Sequence, residues 1–206
     1  MVRPLLVFNP MNRRTFLKYA LFGGAAALAG SYPVFIERNI VQVNRYKVPI
    51  PNLPPSFHGF TLAQLTDLHF GFLVSESFLE GIVHRTNRLR TDLIVCTGDY
   101  VHQRNAIQKI DKIWPILSKL EAKHGVYSVL GNHDHWADFD RSLYWLERTG
   151  QNIRHECKPI YKGSDRIFIG GAGDFWEDDL NIDKTFSCTD EKECRVLLAH
   201  NPDSVD

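Results

Sequence analysis

The chain is predicted to be an α/β protein built on a largely parallel sheet covered on both faces. Three observations lead there. Short runs rich in β-branched and aromatic residues alternate with amphipathic helical patterns at about thirty-residue spacing, the rhythm of β-α-β units. The runs are apolar enough to be buried strands. Four of them close directly on Asp, Asn or His, and open parallel sheets gather ligands beyond the carboxyl ends of their strands.

Composition sets the bounds. The 206 residues, 44% hydrophobic and 12% aromatic, suit one globular domain of ordinary size. Lys and Arg (24) balance Asp and Glu (24), so there is neither the basic footprint of a nucleic-acid binder nor an acidic solvating tail. No nucleic-acid partner is expected. The four cysteines, Cys96, Cys157, Cys188 and Cys194, form no C-x-x-C pair, which argues against a zinc ribbon or a redox motif. Cys96 lies in an apolar run and reads as a small buried hydrophobe. Cys188 and Cys194 share a loop-like segment and could bridge in an oxidising compartment.

In chain order, residues 1–10 precede Met11 and read as a misassigned start. Residues 11–30 resemble a twin-arginine signal peptide. Arg13-Arg14-Thr15-Phe16-Leu17-Lys18 carries the paired arginines, a Gly/Ala-rich apolar run follows from Tyr19 to Ala29, and Ala27-Leu28-Ala29 offers a small-x-small cleavage site. Two glycines and five alanines make a poor core surface for the competing reading, a short core helix. That address predicts export across the cytoplasmic membrane to the periplasm or cell envelope, with the twin-arginine machinery as partner. Left uncleaved, residues 16–36 would be a marginal membrane anchor, with Lys18 and Pro33 against it.

The domain is expected over residues 37–206. Ile40, Val41, Val43 and Tyr46 suggest an edge strand before the prolines at 49, 51, 54 and 55. A strand at 60–66 closes on Asp67-Leu68-His69. Ser75 or Ser77 caps a helix to about Arg90, with Phe78, Ile82, Thr86 and Leu89 on its inner face. A strand at 92–97 closes on Gly98-Asp99. A helix from about Asn105 to Lys123 buries Ile107, Ile110, Ile113, Leu117 and Leu120, with Pro115 kinking or breaking it. Val126–Leu130 leads into Gly131-Asn132-His133-Asp134, and a helix from about Asp138 to Thr149 stops at Gly150. Short strands follow near Ile153, Ile160 and 166–169. A last strand, 194–199, closes on His200-Asn201-Pro202-Asp203.

Singly these motifs are weak, since Asp-x-His arises by chance in roughly half of such chains and Gly-Asp about once in each. Gly173-Asp174 is such a chance pair and reads as a turn. Gly-Asn-His-Asp is rarer, roughly two or three chains per thousand, although a polar loop remains its plainest explanation. Position carries the weight: Asp67, His69, Asp99, Asn132, His133 and His200 all follow predicted buried strands. Asp67 and His69, two apart, would project to one side of an extended backbone. The donor mixture suits Mn²⁺, Fe, Zn²⁺ or Ni²⁺ better than an all-oxygen Ca²⁺ or Mg²⁺ cage.

Asp-x-His, Gly-Asp, Gly-Asn-His-Asp and a later strand-end His, in this order, resemble the calcineurin-like metallophosphoesterase superfamily over roughly residues 40–206, and most closely a bacterial exported branch. The resemblance implies a two-sheet β-sandwich flanked by helices and two divalent metal ions. It puts Asp67 and His69 on the first metal, Asp99 bridging, and Asn132 and His200 on the second. A metal-bridging hydroxide would attack phosphorus, His133 would be the general acid, and Asp134 would orient it. The substrate would be a phosphomonoester or phosphodiester, a lipid or cell-envelope ester among the candidates. Phe72, Trp136, Phe139 and Trp176, in loops or near motif edges, could line an apolar pocket or equally belong to the core. His135 reads as a rim residue, and His58, His84, His102, His124 and His155 as ordinary surface or helix histidines. The family's closing Gly-His-x-His does not occur in the 206 residues. A C-terminally truncated domain lacking its last strands is therefore expected, with a non-catalytic relative as the alternative.

Overall fold

The computed structural model describes residues 11–71 and 73–205; residues 1–10, Phe72 and Asp206 lie outside the described residues. The chain divides into two compact units, Met1–Tyr46 and Lys47–Asp206. The first contains helix α1 (Arg13–Phe35), capped by Asn12, whose side-chain oxygen accepts from the Thr15 amide at 2.8 Å. Among the described residues no helix is long and apolar enough to cross a membrane. The edge strand expected after it is absent. Glu37–Asn39 is a 3₁₀ turn and residues 40–46 carry no strand. The alternation misled because Ile40, Val43 and Tyr46 are all exposed, so no buried face holds a register.

The second unit builds β1 (Leu62–Leu65), α2 (Glu76–Arg88), β2 (Leu93–Cys96), α3 (Ile107–Leu117), β3 (Val126–Ser128) and α4 (Asn132–Arg148) into three β-α units. The strands form a parallel sheet in the order β1-β2-β3. β4 (Cys157–Lys162), β5 (Asp165–Gly171) and β6 (Arg195–Leu198) form a second sheet, β4 antiparallel and β6 parallel to β5, with the short helix α5 (Ile182–Thr185) between β5 and β6.

Alternation in β2 shows how the layers stack. Ile94 and Cys96 join a core with Leu79 and Val83 of α2, Ile110, Ile113 and Trp114 of α3, and Leu146 of α4. Leu93 and Val95 face the other way, into a second core with Ile160, Ile167, Ile169 and Leu198 of the second sheet. Helices therefore cover one face of the parallel sheet and a second sheet covers the other.

Several helix details depart from expectation. Ser75 caps α2, but the residues it buries are Leu79, Val83 and Thr86, a stripe offset from the expected Phe78, Ile82 and Leu89. α3 ends at Leu117, two residues past Pro115 and short of Lys123, and leaves Ile107 exposed. α4 begins at Asn132 rather than Asp138. Asp138, at φ 176°, interrupts it, and Gly150 (φ +70°) follows its end, as a helix stop requires. All four cysteines are free thiols. The neighbour of Cys188 is Cys157, not Cys194: burial, then a hydrogen bond with Cys188, pushes the Cys157 thiol up to about 12.

Candidate metal centre

The ends of β1, β2 and β3 converge, and β6 delivers His200 to the same place. The chain does not reach it in extended geometry. Asp67 (φ 53°), His69 (φ 44°) and Asp99 (φ 57°) all adopt the left-handed conformation, which non-glycine residues rarely take and which costs of order 1–3 kcal/mol each. Asp67 and His69 do lie on one side, as expected, but left-handed backbone at each rather than strand pleat brings them together. Backbone bonds hold the turns: the amides of Asp67 and His69 donate to the carbonyls of Gly98 and Asp99 at 3.1 and 3.0 Å.

Asp99 sits at the centre and is almost fully buried. Its Oδ2 lies 3.5 Å from His69 Nε2, and its Oδ1 lies 3.4 Å from His200 Nε2 and accepts the His133 amide at 3.0 Å. The exposed Asp67 places Oδ1 3.5 Å from the same His69 nitrogen. Carboxylate and imidazole atoms of Asp67, His69 and Asp99 all fall within 4.8 Å of one another. Asn132 is buried at the first position of α4. Close packing puts it there. A Cβ on Gly131 would stand 2.8 Å from His200 Cγ and closer still to Asp99 Oδ1, while one on Gly98 (φ +98°) would stand 2.8 Å from the Gly131 Cα.

Burial alone would raise the Asp99 carboxyl, but the hydrogen bond and charge of His200 and the His133 amide hold it below the usual carboxylate range. Burial would likewise depress His200, yet Asp99 and the Thr97 carbonyl lift it to about 9. For His69 burial wins over Asp99 and Asp67, and its pKa falls. The residues fit divalent cations by donor chemistry and by tautomer. His200 Nδ1 is 2.8 Å from the Thr97 carbonyl. A carbonyl only accepts, so Nδ1 carries the proton and Nε2 is turned toward Asp99, the arrangement typical of a metal-ligating histidine. His69 Nδ1 is buried with no hydrogen-bond partner, an orphan that a bound group or water would satisfy.

The expected support of His133 by Asp134 is replaced by another. His133 Nδ1 donates to the His102 carbonyl at 2.8 Å. Asp134 is 1% exposed and turns its carboxylate to three amides, those of Asp99 (2.8 Å), Tyr100 (2.9 Å) and Gly131 (3.0 Å). Burial pushes its carboxyl up to about 7 against those donors. It clamps two loops together rather than orienting an imidazole.

His102 is the residue that sequence reasoning missed. It is exposed, as expected, but its ring lies 5.3 Å from those of both His69 and His133. Its place three residues past Asp99, in the loop that closes β2, was the available signal. His155 is also not free, pairing with Asp178 at 3.3 Å. His135 is half-buried and stacks on Phe139 at 4.6 Å. Of the expected pocket walls, Trp136 abuts His133 at 4.8 Å, carries Arg104 at 4.2 Å over its ring, and donates Nε1–H to Glu177 at 2.8 Å. Phe139 packs against the helical core, Trp176 is exposed, and Phe72 lies outside the described residues. Asp174 does form a turn, accepting from the Trp176 and Glu177 amides at 3.0 Å, and is itself buried.

The sequence is also similar to known proteins along most of its length. The profile of the calcineurin-like phosphoesterase family matches residues 60–205. The chain is 27% identical over 205 residues to an uncharacterized metallophosphoesterase, YkuE, of Bacillus subtilis, covering 95% of this chain and 71% of that protein. It is 22% identical over 216 residues to the UDP-2,3-diacylglucosamine pyrophosphatase LpxG of Chlamydia muridarum, covering 82% of this chain and 65% of the relative. An uncharacterized metallophosphoesterase of Helicobacter pylori is 29% identical over 204 residues, covering 96% of this chain and 53% of that protein. The chain belongs to the calcineurin-like phosphoesterase family.

Proposed function

We propose that this calcineurin-like phosphoesterase hydrolyses a phosphomonoester or phosphodiester with two divalent cations held by Asp67, His69, Asp99, Asn132 and His200. The observation that carries the reading is the division of Asp99, one oxygen toward His69 and the other toward His200. A carboxylate so placed would be able to help hold two cations. Cations bound there would draw electron density from phosphorus and activate a water as nucleophile.

The chain's own residues supply the proton chemistry. Because His133 Nδ1–H is committed to the His102 carbonyl, a neutral His133 presents a lone pair at Nε2. It can donate to a leaving oxygen only as the imidazolium, with Nε2 protonated. The His102 carbonyl fixes the ring plane, and Asp134 fixes the loops that carry Asp99 and His133. Trp136, held by Glu177, walls one side of His133.

A lipid or cell-envelope phosphate ester is the proposed substrate class, supported by the similarity to a UDP-2,3-diacylglucosamine pyrophosphatase. Export through the twin-arginine route is proposed from Arg13-Arg14. Exchanging both for lysine should leave the protein on the cytoplasmic side in cell fractionation. The activity is tested with p-nitrophenyl phosphate and its bis-ester in added Mn²⁺. Hydrolysis should collapse in Asp99→Ala, and an undiminished rate in that variant would sink the reading.

A further inference from the structure

At the mouth of the centre three imidazoles meet, and only His69 among them also touches carboxylates, those of Asp67 and Asp99. One ring nitrogen from each of His69, His102 and His133 lies within 4.8 Å of the other two. His69 meets both neighbours edge-on, 5.3 Å from His102 and 4.8 Å from His133, while His102 and His133 stack at 5.3 Å with 20° between their planes. We propose that these three histidines form a separate tris-imidazole site for Zn²⁺, whose occupation shuts the phosphoesterase centre down. The inhibitory part rests on the reading of His69 and His133 given above; the binding part does not.

The backbone assembles this cluster before any cation arrives. The His69 amide donates to the Asp99 carbonyl (3.0 Å), the Phe70 amide to Tyr100 (2.9 Å) and the His102 amide to Phe70 (3.2 Å). The loops after β1 and β2 thus run side by side, with Phe70 and Val101 paired as a parallel bridge. The His133 amide, bonded to Asp99 Oδ1 at 3.0 Å, pins the third member to the same carboxylate. The tautomer is set as well. His133 spends its Nδ1 proton on the His102 carbonyl, which leaves the Nε2 lone pair for a cation.

The donor set names the ion. Three neutral nitrogens suit Zn²⁺, Ni²⁺ or Cu²⁺ and discriminate against Mg²⁺ and Ca²⁺, which demand oxygen. Zn²⁺ commonly takes three protein ligands and leaves a fourth position to water. Zinc–nitrogen bonds of about 2.0–2.1 Å require the three atoms, which now lie within 4.8 Å of one another, to close to about 3.4 Å, a small adjustment shared by all three rings. Two consequences follow from membership. His69 also belongs to the acidic group with Asp67 and Asp99, so the two groups compete for it. A cation on His133 Nε2 also removes the atom that would carry the proton.

The test uses Zn²⁺ calorimetry and Co²⁺ visible absorption on the whole chain, in wild type, His102→Gln, His102→Ala and Asp67→Asn. In both His102 variants the nitrogen-rich Co²⁺ band should vanish and one Zn²⁺ step should weaken at least roughly tenfold; both should persist in Asp67→Asn. Excess Zn²⁺ should inhibit Mn²⁺-supported hydrolysis by wild type. Each His102 variant, measured against its own uninhibited rate, should need at least tenfold more. Isotherms and spectra in the His102 variants that match wild type would overturn the site and leave the phosphoesterase reading standing. A His102-dependent Co²⁺ band in a chain with no Asp99-dependent hydrolysis would do the reverse.

Discussion

Gly131→Ala probes the centre without removing a single ligand. Gly131 lies in extended backbone (φ −108°, ψ 176°), so an alanine there meets no conformational penalty, and whatever it does is steric. Its Cβ would stand 2.8 Å from His200 Cγ, 2.9 Å from the Asp99 amide nitrogen and closer still to Asp99 Oδ1. One of these atoms is backbone, and the side chains of the other two are almost fully buried, so none can swing away cheaply. Overpacking of this kind costs about 1–3 kcal/mol. If the strain is relieved by moving Asp99, a displacement near 1 Å should cost about a hundredfold in turnover. Urea unfolding, Mn²⁺ calorimetry and hydrolysis of p-nitrophenyl esters measure the three effects. Gly81→Ala is the control. A Cβ there meets nothing within 4 Å in the middle of α2, so the same substitution should stabilise by up to about 1 kcal/mol. A Gly131→Ala protein with wild-type stability and wild-type Mn²⁺ affinity would refute the close approach of Gly131 to Asp99 and His200.

Asp134→Ala should strand three buried amides at about 1–3 kcal/mol each and lower urea stability by at least about 3 kcal/mol, with Asp134→Asn recovering part through its remaining acceptor. In chelated protein, the raising of His200 from 6.5 to about 9 means that its pairing with Asp99 stabilises fully below pH 6.5 and is lost as pH rises through 9. The urea midpoint should fall across the upper part of that window, from about pH 8 to 9, in wild type and much less in His200→Gln, where the buried Asp134 carboxyl, near 7, has already titrated. Arg154 holds Asp178 below the usual carboxylate range although burial would raise it, so its contribution is present at neutral pH and lost on acidification. Asp178→Asn should therefore destabilise at pH 7, and the difference should close below roughly pH 4. A thiol reagent at pH 8 should label the exposed Cys188 in the folded protein and leave Cys96, whose thiol burial pushes up to about 12, untouched until unfolding.

The gathering of Asp67, Asp99 and His200 was legible because their positions are set by strand ends, and strand ends show in hydrophobic runs. Asp67, Asp99 and His200 each follow a run that does become a strand. The conformation that aims them was not legible. Left-handed backbone at Asp67, His69 and Asp99 is only weakly marked by residue type, since Asp and His tolerate it better than most but adopt extended turns far more often. The roles of Asp134 and His102 were hidden for a related reason, since both depend on backbone groups about thirty residues away that no local pattern reports. The failed strand at 37–47 shows the converse. Alternation survives in a segment that buries nothing, so periodicity without a partner face predicts no structure.

The Asp134 carboxylate ties the loop after β2 to the start of α4 through three amides at once. Neither segment can open alone without baring charge and donors in a dry interior. Opening of the centre should therefore be as rare as unfolding of the whole domain, and the amides of Asp99, Tyr100 and Gly131 should be among the last to exchange in deuterated water. A scaffold this stiff adapts to a substrate only at its border. Arg104, Trp136 and the turn at 174–177 form that border, and there exchange of side chains would change what the centre admits without moving its inner residues.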